Sequence, residues 1–311
     1  MGRDFVKRDL LWLVDLEPED IWELIVTARK IKAGRIDVSR DMEGKVLGMI
    51  FQKPSTRTRV SFEVAMLQMG GHALYLNWND LQLGRGESIK DTARVLSRYV
   101  DIIMARVYSH LDLKELAYYS DVPVINGLSD LCHPVQILSD LLTIYEKLGR
   151  LVGVKVAYVG DGNNVANSLL IGCSKIGVDL SLACPEGYEP NQDILGMARE
   201  YAAQSGAKIE LVREPGEAVK GADIIYTDTF VSMGMEKERE ERLKVFIPKY
   251  RVTMDLVTST GKRTYFMHCL PAHRGEEVTD EVIDSGISIV YDQAENRLHM
   301  QKAILRWVSG L

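Results

Sequence analysis

The segment "STRTR", residues 55–59, places three hydroxyl groups and two guanidinium groups between an apolar run and a helical pattern. Free backbone N–H groups and the positive end of the dipole make a helix N-terminus a binding site for anions. Arginine can grip a phosphate group with two parallel hydrogen bonds. The segment therefore predicts a phosphate-sized ligand. Hydroxyl groups that cap the helix, beside two solvated arginines, explain the same residue types.

Polar residues also stand at the ends of two further patterns. Arg106 closes the apolar run "IIMAR", and α/β sheets hold their ligands at the carboxyl ends of strands. In "HPVQ", Pro134 takes the first helical position, so His133 and Gln136 lie on one face near the helix start. Each has an alternative: Arg106 as a solvated strand end, and His133 as a structural cap.

Two other motifs could suggest a cofactor or a metal. "GDGNN", residues 160–164, has the location of a nucleotide-binding turn, but it lacks the third glycine of G-x-G-x-x-G, and Asp161 would repel a pyrophosphate. In "HCLPAHRGEEV", His268, Cys269 and His273 lack the acid cluster or paired thiols of a closed metal site. We expect neither a cofactor nor a metal.

The elements that must position these residues alternate between strands and helices. Strand patterns begin at Lys45, His72, Asp101, Val122, Val154, Asp179, Lys208, Ala222, Thr264 and Ile287. Helical patterns separate them, one with an N-cap at Ser88. Continuously apolar strands separated by helices indicate parallel sheets covered on both faces. We expect two doubly wound parallel-sheet domains joined by interdomain helices, the second of them Rossmann-like.

Composition limits the function classes. The 311 residues suffice for two domains, and 46% apolar with 26% charged residues is ordinary for a folded protein. A net charge of −6 disfavours nucleic acid and anionic membrane surfaces as partners. The four cysteines show no paired spacing, and no apolar run approaches the length of a signal or a membrane span. We expect a cytoplasmic protein.

Five motifs in order, "STRTR", Arg106, "HPVQ", "DTFVSMG" and "HCLP", resemble the aspartate/ornithine carbamoyltransferase family, and within it the ornithine-specific members. The resemblance continues to "AENRLHMQKA" and so covers essentially the whole chain. It implies transfer of a carbamoyl group from carbamoyl phosphate to the δ-amine of L-ornithine. The implied domains are residues 1–149 with the C-terminal helix 293–311 for carbamoyl phosphate, and residues 150–292 for ornithine.

The resemblance also implies roles for individual residues. Those implied to bind carbamoyl phosphate are Ser55, Thr56, Arg57, Thr58, Gln82, Arg106, His133, Gln136, Cys269, Leu270 and Arg297. Catalytic roles are implied for Thr58, Arg106, His133 and Cys269, whereas Arg59 is assigned no direct contact. The residues implied to bind ornithine are Asn164, Asp228, Ser232 and Met233. Gln82 matches a position that a neighbouring subunit supplies, which implies a trimer or an assembly of trimers.

Substrate choice rests on a few positions. Aspartate carbamoyltransferase lacks "HCLP" and "SMG" and has a lysine where Gln82 stands, so ornithine is favoured over aspartate. Phe230 stands where a tryptophan is common in the family, which keeps putrescine or an acylated ornithine open as substrates. A Rossmann module without transferase activity is the alternative from another class. The charged segment 229–246 is a candidate lid over the site or a solvated helix face. The anabolic or catabolic direction stays open.

Overall fold

The computed structural model describes residues 7–311, which form two compact α/β units. One unit comprises the described residues up to Leu142 together with Asn296–Leu311, and the other comprises Thr143–Glu295. Each unit contains one parallel sheet, with helices between successive strands. Two parallel sheets of this kind are the predicted fold class.

The first unit has a four-stranded sheet in the order β2-β1-β3-β4. Its strands are β1 Val46–Phe51, β2 His72–Asn77, β3 Ile102–Arg106 and β4 Val124–Leu128. Its helices are α1 Pro18–Lys32, α2 Thr56–Gln68, α3 Ile89–Leu96 and α4 His110–Tyr119, and α5 Pro134–Leu148 follows β4. Strand order reverses between β1 and β3, and parallel sheets open a crevice at the carboxyl ends of such strands.

The second unit has a five-stranded parallel sheet in the order β7-β6-β5-β8-β9, which is Rossmann-like. Its strands are β5 Lys155–Val159, β6 Asp179–Ala183, β7 Ile209–Val212, β8 Ile224–Thr227 and β9 Tyr265–His268. Its helices are α6 Asn164–Lys175, α7 Gln192–Ser205, α8 Pro215–Val219, α9 Arg239–Phe246, α10 Met254–Thr258 and α11 Asp280–Ile283; α12 Val290–Val308 follows. Here the order reverses between β5 and β8.

Side chains at the helix starts explain why the helices begin where the sequence predicts. Ser55 caps α2, since its Oγ accepts the backbone N–H of Thr58 over 3.2 Å. Ser88 caps α3 in the same way and accepts the N–H of Asp91 over 3.1 Å. Each cap satisfies a backbone donor that has no partner within the helix.

The strand predicted to begin at Ile287 is wrong. The structure has only an isolated bridge there, between Ser288 and Phe266, and the chain enters α12 at Val290. The backbone of Phe266 uses both of its hydrogen-bonding groups on this segment, to Ile287 O and from Ile289 N–H. A short apolar run just before a helix is compatible with either a strand or a helix, because the run is too short for its periodicity to distinguish the two.

Each unit has its own apolar core. Buried side chains of β1, β3 and α4 form the first, among them Ile50, Ile103 and Leu113. The second includes Phe230 and Phe246, whose rings stack with centroids 4.6 Å apart. Among residues 7–311, no helix combines the length and apolar character needed to cross a bilayer.

Candidate functional site

The crevice between β1 and β3 gathers the predicted anion-binding residues of the first unit. Phe51, the last residue of β1, pairs in register with Arg106, the last residue of β3. The chain continues from β1 through a short turn into α2, so the cap Ser55 and the first helical turn follow directly. Arg106 is buried. The sheet thus brings a guanidinium group and a helix N-terminus to the same edge.

A buried chain of hydrogen bonds links three residues predicted to bind carbamoyl phosphate. Arg297 Nη2 donates to Thr58 Oγ1 over 3.1 Å, and its Nη1 donates to Gln136 Oε1. Gln136 Nε2 in turn donates to Asp140 Oδ1 over 2.8 Å. All four side chains are buried. Because Thr58 Oγ1 accepts from Arg297, its own O–H is left to donate to a ligand.

His133 is neutral in the folded protein. Burial, together with the positive charges of Arg297 and Arg106, holds the pKa of His133 well below its usual value of 6.5. A neutral imidazole has one N–H donor and one acceptor nitrogen. His133 can therefore donate a hydrogen bond to an oxygen without bringing a third positive charge to this edge.

Three residues of the opening motif differ in their surroundings. Arg57 lies half-buried in the first turn of α2, whereas Thr56 is exposed. Arg59 stacks its guanidinium group over the ring of Tyr75 at 3.9 Å and lies 3.6 Å from Glu63, one turn on. These contacts tie α2 to β2 and give Arg59 a structural role.

Gln82 and Lys53 of the first unit differ in their exposure to solvent. Gln82 is exposed on a short 3-10 turn, Gln82–Arg85, whose neighbour Leu83 is buried in the first core. Lys53 is buried beside the motif with its ammonium group 4.4 Å from the centroid of the Tyr108 ring. No sequence pattern indicated this burial, because the position before Pro54 carries no periodic signal.

The second unit gathers polar residues at its own strand-order reversal. Asp228 follows β8 directly and is buried. Its Oδ2 accepts a hydrogen bond from Asn163 Nδ2 over 2.8 Å, and its Oδ1 accepts from Cys269 Sγ over 3.0 Å. The carboxylate thus joins the ends of β5, β8 and β9, and Cys269 acts there as a thiol donor.

The other residues predicted to bind ornithine lie at the start of α6 and in the segment after β8, and they differ in exposure. Asn164 opens α6, immediately after the cap residue Asn163. Ser232 is half-buried and Met233 is 41% exposed in the segment after β8. That segment ends in a short 3-10 turn and α9, so part of the candidate lid is helical. Asn163, which bonds Asp228 directly, was missed because the motif gives both asparagines equal weight.

The motif "GDGNN" has a packing explanation. A Cβ on Gly162 would lie 2.1 Å from Pro190 N, so only glycine fits against that backbone. Asp161 forms a buried ion pair with Arg242 of α9. Burial raises the pKa of Asp161 to about 7, although the charge of Arg242 opposes the rise. The turn therefore anchors neighbouring segments.

The motif "HCLP" brings together three potential metal donors, from Asp228, His268 and Cys269, within 4.8 Å of one another. Both ring nitrogens of His268 are engaged, one by the N–H of Leu270 at 2.8 Å and the other by Glu277 at 3.0 Å. This arrangement leaves no imidazole lone pair for a metal at that residue. Glu277, which no sequence pattern indicated, is fully buried beside the motif.

Family models match both units. The model described as the carbamoyl-P binding domain of aspartate/ornithine carbamoyltransferase matches residues 8–146, and that described as its Asp/Orn binding domain matches residues 152–308. Ornithine carbamoyltransferase of Pyrococcus abyssi is 60% identical over 97% of this chain and 96% of its own length. The enzyme of Pyrococcus furiosus, named as anabolic, is 61% identical over the same shares.

Solved structures give the same result. The structure of ornithine carbamoyltransferase from Pyrococcus furiosus has a TM-score of 0.94 at 59% identity and covers 99% of both chains. That of the anabolic ornithine carbamoyltransferase from Campylobacter jejuni has a TM-score of 0.92 at 41% identity, over 97% of this chain and 99% of its own. Likeness of this extent, along the full length and in both sheets, shows that the chain belongs to the aspartate/ornithine carbamoyltransferase family.

Proposed function

We propose that this protein catalyses the ornithine carbamoyltransferase reaction, in which carbamoyl phosphate and L-ornithine give L-citrulline and phosphate. The observation that carries the proposal is the full-length likeness, at 60% identity, to the ornithine carbamoyltransferase of Pyrococcus abyssi. The biosynthetic direction is part of the proposal, supported by the relative named anabolic at 61% identity. A cytoplasmic location stays a prediction of the sequence.

The carbamoyl group is activated by donors of the first unit in this proposal. The neutral δ-amine attacks the carbonyl carbon, and negative charge develops on the former carbonyl oxygen. Thr58, Arg106 and neutral His133 supply donors to that oxygen, and one preorganised donor of this kind can be worth about 3 kcal/mol. Arg297 contributes by fixing Thr58 through the hydrogen bond to its hydroxyl oxygen.

Phosphate leaves as the carbon–oxygen bond breaks, and it takes up the proton that the attacking amine gives up. Arg57 and the N-terminus of α2 stabilise the departing charge, since the guanidinium fork and the helix dipole both favour phosphate. Ser55 Oγ already accepts the N–H of Thr58, so its O–H can donate to the same ligand.

Ornithine binds to the second unit in this proposal. Asp228 offers a buried carboxylate whose position is fixed by Asn163 and Cys269, and such a group attracts the α-ammonium of an amino acid. Asn164, Ser232 and Met233 complete the proposed contacts. Cys269 and Leu270 belong to this unit, where they are proposed to meet the reacting end of the substrate.

Active sites shared between copies of the chain are also part of the proposal. The exposed position of Gln82, on a turn anchored by buried Leu83, suits a side chain that serves a neighbouring copy. Subunits carrying Arg57→Ala can be mixed with subunits carrying Gln82→Ala after mild dissociation. Recovery of activity in the mixture, when each parent is impaired, supports shared sites in a trimer; a mixture no better than its parents argues for self-contained sites.

The reaction itself is tested by incubating the purified protein with carbamoyl phosphate and L-ornithine and quantifying citrulline. We expect citrulline and phosphate in equal amounts, with putrescine and aspartate turned over at least about 100-fold more slowly, since missing polar contacts discriminate strongly. No citrulline, or equal turnover of putrescine, would contradict the assignment.

A further inference from the structure

The backbone at Leu270 is held in an uncommon conformation beside the thiol of Cys269. Leu270 has φ of +58°, in the left-handed region. Among residues 7–311, every other residue with a positive φ is a glycine. A non-glycine residue in this region costs roughly 1–3 kcal/mol and persists only where its surroundings over-determine it. The contacts that hold this turn therefore matter for where Cys269 points.

The turn is held by the ring of His268. The backbone N–H of Leu270 donates to His268 Nδ1 over 2.8 Å. A backbone N–H can only donate, so Nδ1 has to be without a proton. Because a neutral imidazole carries one proton, that proton is on Nε2. The geometry thus fixes both the tautomer of His268 and its neutral state.

Glu277 accepts the remaining N–H of that ring. His268 Nε2 lies 3.0 Å from Glu277 Oε1, and both side chains are fully buried. The same Oε1 accepts the backbone N–H of His273 over 2.6 Å. The groups facing Glu277 also include the ring of His273, whose Nδ1 lies 3.8 Å from Oε2. One carboxylate oxygen therefore ties the first and the last part of the segment from His268 to His273.

We infer that Glu277 is a positioning residue for the proposed carbamoyl transfer, acting through the His268 tautomer to fix the turn that carries Cys269 and Leu270. The inference rests on the proposed function and deepens it. His268 can accept the N–H of Leu270 only in the Nε2–H form, and that hydrogen bond fixes the residue next to Cys269, whose thiol donates to Asp228. Removal of the acceptor at Nε2 releases the ring to adopt the other tautomer, which presents a donor to the N–H of Leu270.

The experiment compares Glu277→Ala, Glu277→Gln and the neighbouring control Glu276→Ala. The amide oxygen of the Gln variant can still accept both hydrogen bonds, so we expect it to retain most activity. Misplacement of a reacting or orienting group by about 1 Å can cost about 100-fold, so we expect kcat of the Ala variant to fall by about 10- to 100-fold. Glu276 pairs with Arg239 at the surface, and its loss should leave kcat within about twofold.

Two readouts separate positioning from a loss of folding. Carbamoyl phosphate should still raise the melting temperature of the Ala variant, because the residues proposed to bind it through α2 lie in the first unit. In protein labelled with 15N-histidine, which has only six histidines, the ring-nitrogen signals should show His268 as the Nε2–H tautomer in wild type. A His268→Gln variant identifies those signals.

The Ala variant should lose that single tautomer, and the Gln variant should keep it. Nδ1–H in wild type, or a Gln variant as impaired as the Ala variant, would overturn the inference. A failure of the proposed function is distinct: wild type would then form no citrulline, while the tautomer signals would still be those expected.

Discussion

Arg297 Nη2 donates a hydrogen bond to Thr58 Oγ1 over 3.1 Å, although 239 positions of the chain separate the two residues. Nη1 of the same guanidinium group donates to Gln136 Oε1. One planar cation thus fixes two side chains predicted to bind carbamoyl phosphate, and it leaves the hydroxyl hydrogen of Thr58 for a ligand. The C-terminal helix α12 thereby contributes to the chemistry of the first unit.

Replacement of Arg297 by lysine should show whether its positive charge or its hydrogen-bond geometry matters for the reaction with carbamoyl phosphate. Arg297→Lys keeps the positive charge, but an ammonium group cannot make the two fixed, parallel donations of a guanidinium group. We expect kcat/KM for carbamoyl phosphate to fall about 100-fold, which is about 2.7 kcal/mol of lost transition-state stabilisation. Steady-state kinetics at saturating ornithine measure the change.

The matched control lies on the same helix. Arg306 pairs with Asp41 outside the candidate site, so Arg306→Lys should leave kcat/KM within about twofold. Equal losses in both variants would show that α12 acts through stability alone.

Local patterns predicted a large part of this structure. The motif "STRTR" could be placed at a helix start because a hydroxyl cap and the apolar stripe after it are both local signals. The apolar run that begins at Ile287 led to a wrong strand prediction, because an isolated strand bridge and the start of α12 share this short stretch. Asn163 bonds Asp228 across 65 positions, and Asp161 meets Arg242 across 81. No spacing rule reports such pairs, because sheet topology alone brings them together.

The neutral state of His133 should appear in the pH dependence of stability. In the unfolded chain this imidazole takes up a proton as the pH falls through about 6.5, whereas in the folded protein burial, Arg297 and Arg106 hold its pKa well below that value. The unfolded state then binds more protons, so stability falls as the pH falls. This stability is lost progressively as the pH falls below about 6.5.

His133→Gln should remove that part of the pH dependence. Urea unfolding followed by tryptophan fluorescence, at about pH 7.5 and about pH 5, measures the stability of both proteins, and wild type should lose more stability than His133→Gln on acidification. The exposed His72 provides the control, since His72→Gln should behave as wild type. Identical pH dependence in wild type and His133→Gln would contradict a neutral His133.

The buried carboxyl group of Asp161, which pairs with Arg242, should make the stability of the protein depend on pH. Burial raises the pKa of Asp161 to about 7 even with the cation beside it. Because the unfolded carboxyl ionises near its ordinary value, the folded state binds more protons between about pH 4 and about pH 7. Stability contributed by this group therefore falls as the pH rises through that window and then levels off.

Arg242→Met should destabilise the protein by about 3 to 5 kcal/mol at about pH 7.5, because it leaves a buried carboxyl group unpaired. The double variant Asp161→Asn/Arg242→Met should recover a large part of that loss, as a neutral pair needs no compensating charge. Denaturant midpoints measure both. Arg239→Met, which breaks a pair with Glu276 at the surface, should cost less than about 1 kcal/mol. No recovery in the double variant would count against charge as the cause.

The two arginines of "STRTR" should separate cleanly in their effects on ligand binding. Arg57 lies half-buried in the first turn of α2, whereas Arg59 stacks on Tyr75. Arg57→Ala should weaken carbamoyl phosphate binding at least about 100-fold, since charge-assisted hydrogen bonds are worth about 1.5–3 kcal/mol each. Arg59→Ala should leave binding within about twofold and cost about 0.5–1 kcal/mol of stability, the value of an exposed cation–π contact.

Thermal shift with carbamoyl phosphate, and with inorganic phosphate as a simpler probe, measures both variants under one set of conditions. Arg59→Ala should melt slightly lower without ligand and gain as much as wild type when ligand is added. Arg57→Ala should gain little when ligand is added, whatever its melting temperature without ligand. A full ligand-induced shift in Arg57→Ala would mean that the phosphate group binds elsewhere than at the N-terminus of α2, because the dipole and the hydroxyls alone cannot replace a guanidinium fork.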